Sequence, residues 1–263
     1  VRRARLRIGG GAPAAPDAGN VTGSGLTQIV PVREIDGAWY EVADEWATVS
    51  PLTGRYWPLE GAVLAAPSDP RVILGMAHNG SAADRAIPRQ AFMKSARSAI
   101  GSGEPIRIVP GHGNVVAEAE LAVVIGVHCR NVSAREAAEV IAGFTIGNDV
   151  TATDQIALDE KMIQSKSGDG FTPLGPWLVS DLDPDSVPLE LFVNGELRCQ
   201  SDTDRLAWNI AEQIEYLSEY MTLGPGDVIL TGSPETASPI KPGDTVRAAL
   251  DGIGILENPV IAL

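Results

Sequence analysis

Two glutamates interrupt an otherwise apolar run, Val115-Val116-Ala117-Glu118-Ala119-Glu120-Leu121-Ala122-Val123-Val124-Ile125-Gly126. The valine-rich run reads as a buried strand. Side chains two apart on a strand share a face, so Glu118 and Glu120 project side by side, roughly 6.5–7 Å apart at their α-carbons. Two bare carboxylates on a buried strand repel one another, and each is costly to take out of water. A positive charge between them resolves both problems. Oxygen-only donors favour a hard divalent cation, Mg²⁺ or Mn²⁺. On a solvated edge strand the same two side chains would need no such partner, and the run by itself leaves both readings open.

Other residues carry chemistry. Phe144-Thr145-Ile146-Gly147-Asn148-Asp149-Val150 reads as a strand ending in polar residues, and Asp149 supplies a third carboxylate where a scaffold commonly presents ligands. Lys94 stands in the apolar segment Ala91-Phe92-Met93-Lys94-Ser95. It is either buried against an anion or snorkels to water. Lys166 falls in Lys166-Ser167-Gly168-Asp169-Gly170, read as a glycine-flanked loop. His78 lies in Met76 to Arg89, a polar, small-residue-rich stretch of the kind that forms a mobile lid between two strands.

The elements that must position these residues are mostly strands. The 263 residues, 44% hydrophobic, suffice for one large domain or a large and a small one. Residues 1–70 read as a small β-containing N-terminal domain. Gly9 to Gly25 is a Gly/Ala/Pro-rich loop or lobe, and Gln28–Val32 and Trp39–Val42 are short strands around an Asp36-Gly37 turn. Gly9-Gly10-Gly11 lacks the Lys-Ser/Thr of a phosphate loop. Residues 71–263 form the main domain, opened by the buried strand Val72-Ile73-Leu74-Gly75. Ser133 and Glu136 form a capping box that predicts a helix from Ala134 to Ala142. Asn209 and Glu212 cap a second helix with Ile210, Ile214, Leu217 and Met221 on one face, stopped by Gly224-Pro225. Asn194-Gly195 predicts a tight hairpin. Strands at 228–231, 245–250 and 255–261 give an all-β close. The fold class is mainly β with few helices (α+β), and no nucleotide-binding motif is present.

The net charge of −14 argues against nucleic acid and against an anionic membrane surface as partners. An anionic small substrate stays compatible, because a bound metal reverses the local sign. Two cysteines, Cys129 and Cys199, imply no disulfide framework, and the expected location is the cytoplasm. The basic start Val1-Arg2-Arg3-Ala4-Arg5-Leu6-Arg7 is not followed by the apolar core of a signal peptide, and no apolar run approaches a membrane span.

The motifs line up in order: Glu-x-Glu-Leu-x-Val-Val-Ile-Gly at 118–126, Gly-Asn-Asp at 147–149 and Lys-Ser at 166–167. Pro-Leu-Gly-Pro-Trp at 173–177, Val-Asn-Gly-Glu at 193–196 and Met-Thr-Leu-x-Pro-Gly-Asp-Val-Ile-Leu-Thr-Gly at 221–232 follow. This pattern resembles the fumarylacetoacetate hydrolase family over roughly residues 71–263. The resemblance implies a mixed β-sandwich roll, usually homodimeric. It implies one Mg²⁺ or Mn²⁺ on the residues matching Glu118, Glu120 and Asp149. It implies that Lys166 lies near the metal and supports substrate oxygens, and that Ser233, in Thr231-Gly232-Ser233-Pro234, contacts substrate. Lys94 and Gln155 join Ser233 as expected substrate-facing residues.

The departures from the family pattern bear on the reaction. Many members read Asn-Tyr-x-x-His after the first strand; here Ser81 holds the histidine position and His78 comes earlier. His78 is the candidate base. Where members read Ser-Ala-Arg-Asp-x-Gln, this chain reads Thr151-Ala152-Thr153-Asp154-Gln155-Ile156, losing the arginine and displacing the glutamine by one. The expected activity is metal-dependent hydrolysis of a carbon–carbon bond in acylpyruvate-type β-diketo acids. Isomerisation, tautomerisation or decarboxylation of similar keto acids is the alternative, and a catalytically degenerate binding protein the second.

Overall fold

The computed structural model describes residues 1–8 and 27–263. The glycine-rich stretch Gly9 to Gly25, with Gly9-Gly10-Gly11, lies outside the described residues. Among the described residues the strands are β1 (Arg2–Ile8), β2 (Gln28–Ile35), β3 (Ala38–Val42), β4 (Leu52–Pro58), β5 (Ile73–Ala77) and β6 (Gln90–Lys94). Next come β7 (Ala99–Ile100), β8 (Ile106–Ile108), β9 (Val115–Ile125), β10 (Ile141–Asn148), β11 (Thr151–Ala152) and β12 (Thr172–Val179). The chain closes with β13 (Pro188–Val193), β14 (Glu196–Asp202), β15 (Val228–Leu230), β16 (Ala237–Ile240), β17 (Thr245–Leu250) and β18 (Gly254–Ala262). Three helices accompany them: α1 (Thr153–Ile156), α2 (Ile163–Lys166) and α3 (Ile210–Tyr220).

A large mixed sheet runs β4-β3-β2-β1-β12-β10-β9-β15-β5-β6, and a second runs β14-β13-β17-β18-β8. The mainly β, few-helix architecture is the one expected. Strand β9 organises the large sheet because it changes partners along its length. Its first half pairs with β11 and β16, with Thr151 opposite Val116 and Ala237 opposite Glu118. Its second half pairs with β10 and β15, with Gly147 opposite Glu120 and Leu230 opposite Ala122. The two glutamates sit where the partners exchange.

Period-2 alternation divides β9 by face. Ala117, Ala119, Leu121, Val123 and Ile125 face the main core, which includes Leu189 and Leu191 of β13 and Val246 and Ala248 of β17. Ala122 and Val124 face a second cluster with Ile73, Leu174 and Leu230. Glu118 and Glu120 continue that second face.

Local signals explain most of the remaining elements. Asp36-Gly37 and Asn194-Gly195 take positive φ, 48° and 79° and 55° and 80°, and close the β2–β3 and β13–β14 hairpins. Helix α3 has its expected capping box: Glu212 N–H donates to Asn209 Oδ1 at 2.9 Å and Asn209 N–H to Glu212 Oε2 at 2.9 Å. Its Ile210, Ile214 and Leu217 are buried.

The helix expected from Ala134 to Ala142 does not form. Ser133 and Glu136 do pair, through Ser133 N–H and Oγ to Glu136 Oε2 at 3.1 and 2.6 Å. Only a 3-10 turn, Ala137–Val140, follows. From Ile141 the chain enters β10 against β9, and Gly143 in this run weakens any helix. Strands β1, β4 and β16 were not anticipated. Strand β1 pairs with both β2 and β12, so residues 1–8 and 28–58 extend the large sheet. Among the described residues no helix is long and apolar enough to cross a membrane.

Candidate active site

Strand β9 presents the buried Glu120 and the half-buried Glu118 on one face, as period 2 requires. Asp149 follows the end of β10 and is placed by two bonds to β9. Its N–H donates to Glu118 O at 2.9 Å, and the preceding Asn148 accepts the Glu118 N–H on Oδ1 at 3.0 Å. The three carboxylates expected from sequence therefore come from adjacent strands of one sheet.

Two lysines complete the cluster. Lys94, the last residue of β6, is buried and donates to Asp149 Oδ1, to Phe171 O at 2.7 Å and to Val150 O at 3.2 Å. An ammonium has three donors, and all three of these are spent on protein oxygens. Of the two readings open in the sequence, burial against an anion is the one found. The expected contact of Lys94 with substrate is not among these bonds.

Lys166, expected on a glycine-flanked loop, is the last residue of α2. It donates to Asp149 Oδ2, to Thr151 Oγ1 at 2.7 Å and to Glu118 Oε2 at 3.3 Å. Its Nζ lies 4.6 Å from the centre of the Phe92 ring. Thr151 Oγ1 also lies 2.8 Å from Glu118 Oε2.

The electrostatics follow from burial. Burial alone would raise the Asp149 carboxyl, but Lys94 and Lys166 outweigh it and hold the group below its ordinary value. Burial lowers Lys94, partly offset by Asp149. Burial also opposes the charged form of Lys166, but Asp149 and Glu118 outweigh it and raise that group. Glu120 has no such rescue. Burial, then the charges of Asp149 and Glu118, push its carboxyl well above the usual range. The Gly232 N–H, which donates to Glu120 Oε2 at 2.8 Å, and the charge of Lys166 oppose that rise without offsetting it.

Three carboxylates face two ammonium groups, which leaves one negative charge unbalanced in a buried site. That donor set fits a hard divalent cation. Both oxygens of Asp149 are turned to lysines here. Among the described residues no three acidic, His or Cys side chains converge as a ready-made cage. Each lysine-bound oxygen of Asp149 retains a second lone pair.

The remaining expected residues lie around this cluster. Ser233 follows Gly232, and its Oγ is engaged with Thr236 Oγ1 at 2.7 Å; Thr236 in turn donates to Ala119 O at 2.6 Å. Gln155, on α1, is buried and donates from Nε2 to His112 O at 2.9 Å, which ties α1 to the glycine turn at 111–113. His78 is exposed with φ 52°, immediately before the buried Asn79. The segment expected to act as a lid lies docked. Arg85 pairs with Glu212 at 2.8 Å, Arg89 donates to Glu212 O at 2.9 Å, and both guanidiniums lie over the Trp208 ring.

Asn79, Thr151 and Gly232 were not singled out from sequence. Gly232 carried a signal, since a glycine between Thr231 and Ser233 takes φ 108°, where a side chain would be strained. Asn79 carried none.

Comparison with known proteins shows which family the chain belongs to. Protein Rv2993c of Mycobacterium tuberculosis is 39% identical over 84% of this chain and 87% of its own length. The maleylpyruvate hydrolase of Aquipseudomonas alcaligenes is 38% identical over 63% of this chain and 57% of its own. The crystal structure of a 5-carboxymethyl-2-hydroxymuconate delta-isomerase from Mycobacterium smegmatis covers all of both chains at 38% identity, with a TM-score of 0.86. The family model for the fumarylacetoacetate (FAA) hydrolase C-terminal region matches residues 72–261. The chain belongs to the fumarylacetoacetate hydrolase family.

Proposed function

We propose that this chain is a divalent-metal enzyme that cleaves acylpyruvate-type β-diketo acids through an enolate. The observation that carries the reading is Glu120. It is a buried carboxylate beside two others, with its charge opposed by desolvation and by its neighbours. Glu118, Glu120 and Asp149 would hold the ion, Mg²⁺ or Mn²⁺. When bound, it supplies Lewis acidity toward the carboxylate and 2-oxo oxygens of the substrate.

The protein side chains do the rest. Lys94 fixes Asp149 from one side with no donor left over. Lys166 fixes it from the other and keeps a positive charge beside Glu118, where negative charge develops on the substrate as the enolate forms. Ser233 and Gln155 flank the cluster as substrate contacts. For cleavage, a base takes a proton from water as the water oxygen adds to the distal carbonyl. The carbon–carbon bond then breaks, giving a carboxylic acid and a pyruvate-type enolate that is protonated on carbon. His78 is the candidate for that base.

A second reading is isomerisation of an unsaturated 2-hydroxy diacid, in which the same enolate is reprotonated elsewhere and no water adds. The full-length likeness to a protein described as a delta-isomerase favours it. The test is a panel of acylpyruvates, oxaloacetate and dienoate diacids with Mg²⁺ or Mn²⁺, with products identified by NMR. Paired carboxylic acid and pyruvate support cleavage, and an isomer of unchanged mass supports the second reading. Turnover unaffected by chelation would overturn the metal-dependent reading.

A further inference from the structure

The Asn79 side chain is buried and bridges three parts of the chain. Its Nδ2 donates to Thr231 O at 2.6 Å and to Trp208 O at 3.1 Å, and its Oδ1 accepts the Trp208 N–H at 2.7 Å. It thus ties the start of the 78–89 segment to the residues before α3 and to the end of β15.

The backbone around it lies flat on the next residues of that strand. A Cβ placed on Gly232 would meet Asn79 O at 2.7 Å and Asn79 Cβ at 2.8 Å, and one placed on Gly80 would meet Ser233 O at 2.7 Å. Only glycines allow this approach, and Gly232 holds φ 108° beneath it. Gly232 is also the residue whose N–H holds Glu120 Oε2.

We propose that Asn79 is a positioning residue for the carboxylate site: it holds Gly232 so that its N–H stays on Glu120, and it fixes the segment carrying His78 in register with that glutamate. The inference rests on the reading of Glu118, Glu120 and Asp149 as cation ligands. Groups that orient a ligating side chain commonly matter to a metal site nearly as much as the ligands do.

Gln213 provides the control. Its Nε2 donates to the same two carbonyls, Trp208 O at 2.8 Å and Thr231 O at 3.3 Å, from α3. A role confined to stabilising those carbonyls would be shared by both residues, whereas the contact with Gly232 belongs to Asn79.

The test compares Asn79→Asp with Gln213→Met in the full chain. Asn79→Asp keeps the shape and the acceptor for Trp208 but aims a carboxylate oxygen at two carbonyls. Two readouts are taken: hydrogen exchange at the Gly232 amide in metal-free protein, and calorimetric affinity for Mn²⁺ alone. For Asn79→Asp we expect Gly232 exchange to rise and Mn²⁺ affinity to fall, each about tenfold. Gln213→Met should leave both within about twofold of wild type, even where it lowers the melting temperature. Unchanged Gly232 exchange in Asn79→Asp, or equal effects in the two variants, overturns the proposal. Asn79→Ala gives the same comparison should the aspartate variant not fold. Failure of the wild type to bind Mn²⁺ would overturn the metal reading, while the exchange measurement still decides the role of Asn79.

Discussion

Lys94 Nζ and Asp149 Oδ1 form an ion pair between side chains that are 0% and 3% exposed, 55 residues apart in sequence. Removing one partner of a buried pair costs about 3–5 kcal/mol, because the other charge is left unpaired. Asp149 keeps Lys166, so Lys94→Met is expected at the lower end, about 3 kcal/mol. The carbonyls of Val150 and Phe171 lose a donor in the same variant. Urea unfolding measures the loss; a change below about 1 kcal/mol would show that Lys166 alone suffices for Asp149.

Glu120 should respond in the opposite sense to neutralisation. Its charge is opposed by burial and by Asp149 and Glu118. In the presence of chelator, Glu120→Gln is expected to stabilise the protein by about 1 kcal/mol, since a carboxyl whose charged form is opposed by burial and by two neighbouring carboxylates is replaced by a neutral isostere. Addition of Mn²⁺ should raise the melting temperature of the wild type and leave Glu120→Gln unmoved. Equal metal-induced shifts in both proteins would remove Glu120 from the ligand set.

The carboxylates were legible in the sequence because the signal is local: two acids at period 2 in an apolar strand define a face without tertiary information. The fate of Lys94 was not, because burial against Asp149 or escape to water depends on a partner 55 residues away. The 134–142 segment shows the converse. Its capping pair forms as the local pattern requires, but β9 draws Ile141 onward into a strand, and pairing overrides the cap. The alternation of Arg3, Arg5 and Arg7 with the buried Ala4 and Leu6 is a period-2 strand signal present in the sequence. Asn79 had no signal, since an asparagine before a glycine reads as an ordinary turn.

The docked segment between β5 and β6 should open when its anchor is removed. Trp208 lies under Arg85 and Arg89, at 4.4 and 5.0 Å from the ring centre. Each such contact is worth about 0.5–1 kcal/mol at a partly exposed site, so Trp208→Ala should favour local opening by about 1–2 kcal/mol. Hydrogen exchange in residues 80–89 should then speed up more than tenfold at the upper end, with core strands such as β9 unaffected. Uniform acceleration throughout the chain would indicate general destabilisation instead.

We expect a homodimer through the main domain, residues 71–263, whose strand edges need covering; strand β6 lies at one end of the large sheet and exposes Met93. Sedimentation at micromolar concentration should give about twice the 27.6 kDa chain mass. A monomer only would refute it.

The last prediction separates the two proposed reactions through His78. This residue has φ 52° and is exposed, while the next residue, Asn79, is buried and bonded to Trp208 and Thr231. Its backbone is therefore fixed near the Gly232–Glu120 contact while its ring faces solvent. Cleavage needs a base within roughly 3 Å of the attacking water, and an imidazole can take that proton. Among the other histidines, His112 lies in the glycine turn that Gln155 binds, and His128 packs toward Gly224. If the enzyme cleaves diketo acids, His78→Ala should lose about 10²–10⁴-fold in kcat with Mn²⁺ affinity unchanged, because a general base is lost and no ligand is. If the enzyme isomerises an unsaturated diacid, no water is activated, and His78→Ala should keep most of its turnover with a product of unchanged mass. Full cleavage activity in His78→Ala would sink the assignment of the base and leave the water to be activated by another group.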